Sequence, residues 1–431
     1  MLLDANFTIG QRFKHIRTEQ GFSQSELADG VCSKSVVSHL ENDRQYPSAE
    51  MFGKLADKLG VPLREIMGMQ EKQMEAGFQI EMTRVYVEMA DYNHALELID
   101  ELDRREDLLD HQRIELLVQR TECLIQTKKY EVANGLLVHM LNKQLAQQTI
   151  DDQTFCDLFN KLGTAHFFLR DFEKAFSAYE QAYRISQKLH EYGLISAKVS
   201  YNLGITCNQL GYKDDATRYL EKAYLFFDSI SDMNRVAQTL FELAIASGNP
   251  SQLVQARSLF ESLNMVHQAN RVKQHYAFHI QSRQDYKKAV DELYMVATEF
   301  EQIGDVGMSV YTYSRATMVC LEYDDLEQAS ECLNEATLRE QKMANKENYP
   351  LAYYFRARSK YFLCNEQYEN CILDSRKSAE IYGIMGMDYE SADSLQLAAE
   401  AFRRKGDYQE AFEVSQKSYD RIKKLSRGNQ V

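Results

Sequence analysis

Two groups of side chains in this 431-residue chain have the types and spacing for recognition chemistry. One lies near the N-terminus, where Lys34, Ser35, Ser38 and His39 fall on one face of the short pattern KSVVSHLEN while Val37 and Leu40 fall on the other. Such a polar face is either a docking surface or simply a solvated side of a helix. The second group recurs at intervals of about one repeat: Asp157, Asn160, Lys161, Lys198, Tyr201, Asn202, Gln238, Arg271, Gln274, His275, Tyr311, Arg315, Tyr353 and Arg356. Amides bond a peptide main chain at both C=O and N–H, and Arg or Lys meets a terminal or side-chain carboxylate, so this set suits an extended peptide. Neither group is catalytic. The chain has no Gly-rich phosphate loop, no GxSxG and no EF-hand loop, and His190-Glu191 lacks a second histidine because Leu194 stands in its place. Its ten histidines have no metal-ligand pairing. We expect no enzyme, no cofactor and no metal.

The composition points to a helical scaffold for these groups. Only four prolines and 19 glycines leave little turn chemistry for a large β-protein. No apolar run approaches the ~20 residues of a membrane span, and the N-terminus, MLLDANFTIGQRFKH, has no export signal. The eight cysteines are scattered without a CxxC pair. We read them as reduced core residues of a cytoplasmic protein.

Residues 1–67 read as five short helices at 7–19, 23–29, 34–42, 48–58 and 62–67. Ser23 with Glu26 three residues on forms a capping box, and Ser33 is placed to cap the third helix. Val37 and Leu40 should pack against Ile16, Leu27 and Leu55. The segments SQSELADGV, SVVSHLEN and YPSAEMFGKLADKLGVP resemble the helix-turn-helix of the phage-repressor and Cro class, with a turn one residue shorter than is usual there. In that class the third helix enters the DNA major groove. The resemblance implies that Lys34, Ser35, Val36 and His39 read bases and that Gln24, Ser38 and Arg44 hold phosphates. Eight Lys plus Arg stand against nine Asp plus Glu in this segment, net −1. A single copy should therefore grip DNA weakly, and a dimer on an inverted repeat is expected.

Residues 68–77 look like a linker, and 78–431 carry a repeat. Its signature is an aromatic or leucine three residues before a small residue, as in Tyr92/Ala95, Tyr130/Ala133, Phe172/Ala175, Leu253/Ala256, Tyr286/Ala289, Leu326/Ala329, Tyr368/Cys371 and Tyr408/Ala411, with Lys213/Ala216 completing the series. The small residues are 38, 42, 41, 40, 33, 40, 42 and 40 apart, which makes nine units. The stretch Tyr201 to Tyr224 shows the plan: two amphipathic helices joined at Gly211, with Gly204, Ala216 and Ala223 where helices touch. This is the pattern of tetratricopeptide repeats lengthened by about a turn over the usual ~34 residues. The expected fold is all-α, a right-handed superhelix whose concave channel is lined by the first helix of each pair. The recurring polar set lies two, three or six residues before the small residue of each first helix, which places it in that channel.

Together, the helix-turn-helix with its LADGVC turn and the nine long repeats resemble the peptide-pheromone sensors of the RRNPP group, in particular its neutral-protease-regulator and phospholipase-regulator branch. The resemblance implies a cytoplasmic quorum-sensing regulator: a short re-imported signalling peptide binds the channel, shifts the arrangement of two protomers and switches DNA binding. It also implies a role in sporulation through the phosphorelay. Two alternatives stay open: a repeat scaffold or inhibitor acting on a response regulator, and a repressor that uses its repeats only to oligomerise.

Overall fold

The computed structural model describes residues 8–45, 47–62, 66, 69–147, 150–343 and 348–428. Among them are 22 α-helices, one short 3₁₀ turn at Gln281–Arg283 and no strand. The chain divides into two compact units, Met1–Met140 and Leu141–Val431.

The first unit begins with α1 (Ile9–Glu19), α2 (Gln24–Ala28), α3 (Lys34–Glu41) and α4 (Ala49–Leu59). Polar residues before each helix start it by accepting bonds from orphan backbone N–H groups. Thr8 with Gln11, and Ser23 with Glu26, form capping boxes, and Ser48 accepts from the Met51 N–H. Ser33 occupies the cap position of α3 but does not cap it. Its hydroxyl lies 2.7 Å from Ser35 Oγ, a local partner that competes with the backbone. Val37 and Leu40 are fully buried with Phe13, Ile16, Leu27 and Leu55, the packing expected from their spacing. The expected fifth helix, 62–67, falls largely outside the described residues.

Of the stretch 68–77 expected as a linker, the described residues 69–77 depart from expectation. From Met69 onward it is helix, the start of α5 (Met69–Glu88), which pairs with α6 (Tyr92–Leu102). Ala76 and Ile80, one turn apart on α5, are buried against Ile99, Leu102 and Leu116. That apolar contact makes the segment part of the first repeat rather than a tether. The pair α7 (Asp110–Gln126) and α8 (Tyr130–Gln147) follows, and the division between compact units falls within α8.

The second unit continues with α9 (Asp152–Phe168), α10 (Phe172–Ser186), α11 (Leu194–Leu210), α12 (Lys213–Ser229), α13 (Met233–Ser247), α14 (Pro250–Ser262), α15 (Val266–His279), α16 (Tyr286–Gln302), α17 (Val306–Glu322), α18 (Leu326–Glu340), α19 (Tyr349–Cys364), α20 (Tyr368–Ile384), α21 (Asp388–Lys405) and α22 (Tyr408–Gly428). Counting α5 onward, the described residues form nine helix pairs, each second helix opening at or just before its signature residue. Many of these helices run to 17 residues, which accounts for the long repeat period. Asp171, Asp232, Asp285, Asp305 and Asp325 each accept a backbone N–H of the helix they precede. Gly211, in the left-handed conformation at φ 80°, closes α11.

The small residues allow close approach. Ala175, Ala216, Ala256, Ala289, Ala329 and Cys371 are fully buried. A Cβ on Gly204 would stand 2.8 Å from Leu220 Cδ2 and 3.3 Å from the Ala216 carbonyl oxygen, and one on Gly163 would meet the Tyr179 ring at 2.5 to 2.7 Å. First helices touch in succession, α9 with α11 and α11 with α13, then α15 with α17, α17 with α19 and α19 with α21. The side chains on their common face therefore form a continuous surface within each run. The irregular step lies between the runs, where α14 and α15 shorten to 13 and 14 residues and the signature spacing drops to 33.

Candidate recognition surfaces

On α3, Lys34, Ser35 and His39 are exposed while Val36 and Ser38 are half-buried, as the helical spacing requires once Val37 and Leu40 enter the core. The Ser38 carbonyl accepts the Asn42 side-chain amide at 2.7 Å. Arg44 is exposed just beyond the helix. Gln24 is engaged within the domain: its Nε2 donates to Glu41 Oε2 at 2.7 Å, and the same carboxylate receives Arg17, which also binds the Phe22 carbonyl. This buried ion pair braces α1, α2 and α3, and it leaves the Gln24 amide oxygen and the second Nε2 proton as the groups open to a further partner.

The sequence-derived channel residues of the second unit fall on first helices: Asp157, Asn160 and Lys161 on α9, Lys198, Tyr201 and Asn202 on α11, Gln238 on α13, Arg271, Gln274 and His275 on α15, Tyr311 and Arg315 on α17, and Tyr353 and Arg356 on α19. Lys198, Tyr201, Asn202 and Gln238 come together around a cleft of about 190 Å³, closed by Phe227 and Arg235. Asn202 Nδ2 donates to Asn160 Oδ1 at 2.8 Å, linking α11 to α9, and Gln238 Nε2 donates to Asn234 Oδ1 at 2.9 Å. The Asn202 Oδ1 and the second Nδ2 proton are thereby aimed by the bond that the first proton makes.

Further along, Gln274 is buried and donates to Thr312 Oγ1, so its role is to tie α15 to α17. Tyr311 and Tyr353 are also buried, with ring centroids 4.8 Å apart, and Tyr349 packs 5.2 Å from Tyr311. Burial pushes the Tyr353 hydroxyl up to about 12, so this phenol stays a protonated donor. Two of the candidate cations are neutralised internally: Lys161 Nζ lies 3.4 Å from Asp157 Oδ2, and Arg356 Nη2 donates to Asp393 Oδ2 at 3.0 Å. Arg271 and Arg315 are different. Among the described residues neither has a carboxylate at ion-pair distance. Arg271 lies 5.6 Å above the Phe241 ring, and Arg315 lies 4.2 Å above Phe278 and 5.0 Å above Tyr311.

The structure adds residues that spacing alone passed over. Arg315 Nη2 donates to His279 Nε2 at 3.1 Å, and the His279 ring lies 4.4 Å from that of His275. Burial, then His279, Arg315 and Arg271, push His275 down to about 3. Burial, then Arg315 and Arg283, push His279 down to about 4. Both rings are neutral at pH 7. Glu242 lies near Arg271 and is held by Asn208, whose Nδ2 donates to the Glu242 carbonyl oxygen at 3.0 Å and to Oε2 at 3.2 Å; burial raises its carboxyl above the ordinary range, while Asn208 and Arg271 oppose that rise. Glu242 stands two residues before Ala244, so the offsets that located the other channel residues reach it as well.

Six cysteines, 123, 156, 207, 320, 332 and 371, are buried, Cys32 is half-buried and Cys364 is exposed; all eight are free thiols. Among the described residues no helix is long and apolar enough to cross a membrane, and no three His, Cys, Asp or Glu side chains are grouped to hold a metal ion.

Comparison with known proteins agrees with this arrangement. A helix-turn-helix family model matches residues 13–66 and a tetratricopeptide-repeat model matches 154–226. The immunity repressor of Bacillus phage phi105 is 29% identical over 133 residues, covering 28% of this chain and 92% of the repressor. The solved Rap protein complexed with competence and sporulation factor superposes with a TM-score of 0.57 at 14% identity, over 82% of this chain and 99% of Rap. The quorum sensor NprR from B. thuringiensis, in its apo form, gives 0.54 at 13% identity over 81% and 99%. Aspartyl phosphate phosphatase F from Bacillus subtilis gives 0.52 at 13% over 80% and 94%. The chain thus joins a helix-turn-helix to a tetratricopeptide-repeat array that has the fold of Rap and NprR, which are regulators of the RRNPP group the sequence resembles.

Proposed function

We propose that this protein is a cytoplasmic, non-enzymatic transcription regulator whose repeats bind a short signalling peptide and whose helix-turn-helix binds an inverted-repeat operator as a homodimer. The observation that carries the reading is the cleft at Lys198, Tyr201, Asn202 and Gln238, a set of main-chain-binding amides, a phenol and a cation on adjacent first helices. The exposed Lys34, Ser35 and His39 on α3 supply the second half. That the similar Rap was solved with competence and sporulation factor favours a signalling ligand in the repeats. Peptide and DNA are coupled through their differential affinity for two arrangements of the protomers, about 1.4 kcal/mol for each tenfold shift.

Calorimetry of the full chain against synthetic candidate peptides, with operator binding and oligomeric mass measured with and without peptide, tests the reading. Peptide binding that leaves both DNA affinity and mass unchanged removes it. The similarity to aspartyl phosphate phosphatase F favours a second reading, in which the repeats act on a phosphorelay response regulator. A full-length variant that has lost DNA binding through Lys34 and His39 would then still hold a response regulator.

A further inference from the structure

Of the channel cations, Arg271 and Arg315 stand out because each is placed over aromatic rings, without a carboxylate within ion-pair reach among the described residues. Arg315 is further incomplete: its Nε is buried and makes no hydrogen bond. A buried guanidinium N–H without an acceptor is costly, and an anion is the partner that repairs it. What Arg315 does have is His279, which can accept from Nη2 only while its own Nε2 carries a lone pair. His275 lies beside it, its ring tilted 44° to that of His279 with centroids 4.4 Å apart, under the field of both arginines.

We propose that Arg271, Arg315, His275 and His279 form a carboxylate subsite of the peptide channel, and that filling it is accompanied by proton uptake on the histidine pair. The proposal rests on the reading of the repeats as a peptide receptor. In the free protein the charges facing the two rings are positive: Arg271 on the same helix, Arg283 on the 3₁₀ turn and Arg315 on α17. Glu242 on α13 faces Arg271 but is already held by Asn208, the Tyr353 phenol on α19 is neutral, and the Tyr311 ring on α17 packs 4.8 Å from it. A carboxylate that enters beside Arg315 takes the place of His279 as its acceptor and adds the negative charge that both rings lack. The freed imidazole then protonates and pairs with the same carboxylate. Because Arg271 is exposed and the two rings and Arg315 are half-buried, the site is reachable from the channel face. The ligand class is a peptide with an acidic side chain or a free C-terminus so placed that it reaches α15 and α17 when its main chain lies on Asn202 and Gln238.

The test uses a random hexapeptide library, half with amidated C-termini, retained on the immobilised full chain at pH 5.5 and 7.5. The wild type should retain sequences enriched in Asp, Glu or the free carboxyl terminus, more strongly at pH 5.5. If the bound His279 returns from about 4 to its ordinary value near 6.5, affinity should rise roughly tenfold between the two pH values. Arg315→Gln and the surface substitution Arg271→Gln should each lose the acidic preference, with on the order of tenfold weaker binding of the selected peptide. Calorimetry of that peptide in buffers of different ionisation heat should show proton uptake that His279→Gln abolishes. A library retained with no acidic preference, or an acidic preference unaffected by both arginine variants, overturns the subsite while leaving peptide binding intact. Acidic peptides bound without proton uptake overturn the coupling. A wild type that retains no peptide at all removes the underlying reading.

Discussion

The Asn202 side-chain amide donates to the side-chain carbonyl of Asn160 across 2.8 Å, so two residues 42 positions apart orient one another on adjacent first helices. This bond decides which atoms of Asn202 remain for a ligand. Asn202→Ala should weaken binding of the cognate peptide by tenfold or more while changing the urea midpoint by only about 1 kcal/mol equivalent, the net value of a hydrogen bond of this kind. Asn160→Asp keeps an acceptor for Asn202 and should bind more tightly than Asn160→Ala. Calorimetry of both variants checks the order.

The helix contacts in the array are steric before they are chemical. Gly163→Ala would drive a Cβ into the Tyr179 ring and should lower stability by about 1–3 kcal/mol. Gly135→Ala, on α8 with nothing within 4 Å of the added methyl, should instead raise it by about 0.5–1 kcal/mol through helix propensity. Urea denaturation followed by circular dichroism distinguishes the two signs.

For the helix-turn-helix, Lys34→Ala and His39→Ala should each cost about 1–3 kcal/mol of operator affinity if they read bases, with no change in melting. Leu40→Ala, by contrast, removes a side chain with no exposed surface and should destabilise the domain by about 2–5 kcal/mol. Mobility-shift titrations at two salt concentrations tell base readout from phosphate contact, since only the latter changes the salt slope.

The histidine pair gives the free protein an acid-sensitive array. Folded values of about 3 for His275 and about 4 for His279 lie below the unfolded value near 6.5. The unfolded chain therefore binds more protons, and stability is unaffected above about pH 6.5 and lost as pH falls from there toward about 4, by at most about 1.4 kcal/mol per pH unit for each histidine. Denaturation midpoints at pH 7 and 5 should differ less in His279→Gln than in the wild type.

Residue types and spacing alone were enough for the all-helical class, the apolar face of α3, the capping box at Ser23 and the nine-unit repeat. Each is a local matter, because a small residue every forty or so positions, or a leucine on the inner stripe of a helix, reports its neighbours through volume and period. Gly204 under Leu220 is the clearest case, and the hydrophobic core around Phe13, Val37 and Leu55 is another. What local pattern could not reach were partners chosen across helices. That Gln24 gives an amide proton to Glu41, and that residues 69–77 belong to the first repeat through Ala76 and Ile80, depend on which side chains folding brings near. The same holds for the channel cations. Five were legible as Lys or Arg two, three or six residues before a small residue, and the Lys161–Asp157 pair, one turn apart on α9, was within reach of spacing too. Only the packed array decided that Arg356 finds Asp393 while Arg271 and Arg315 find aromatic rings and Arg315 a neutral histidine, because charge pairing between helices is set by distance in space, which sequence separation does not encode.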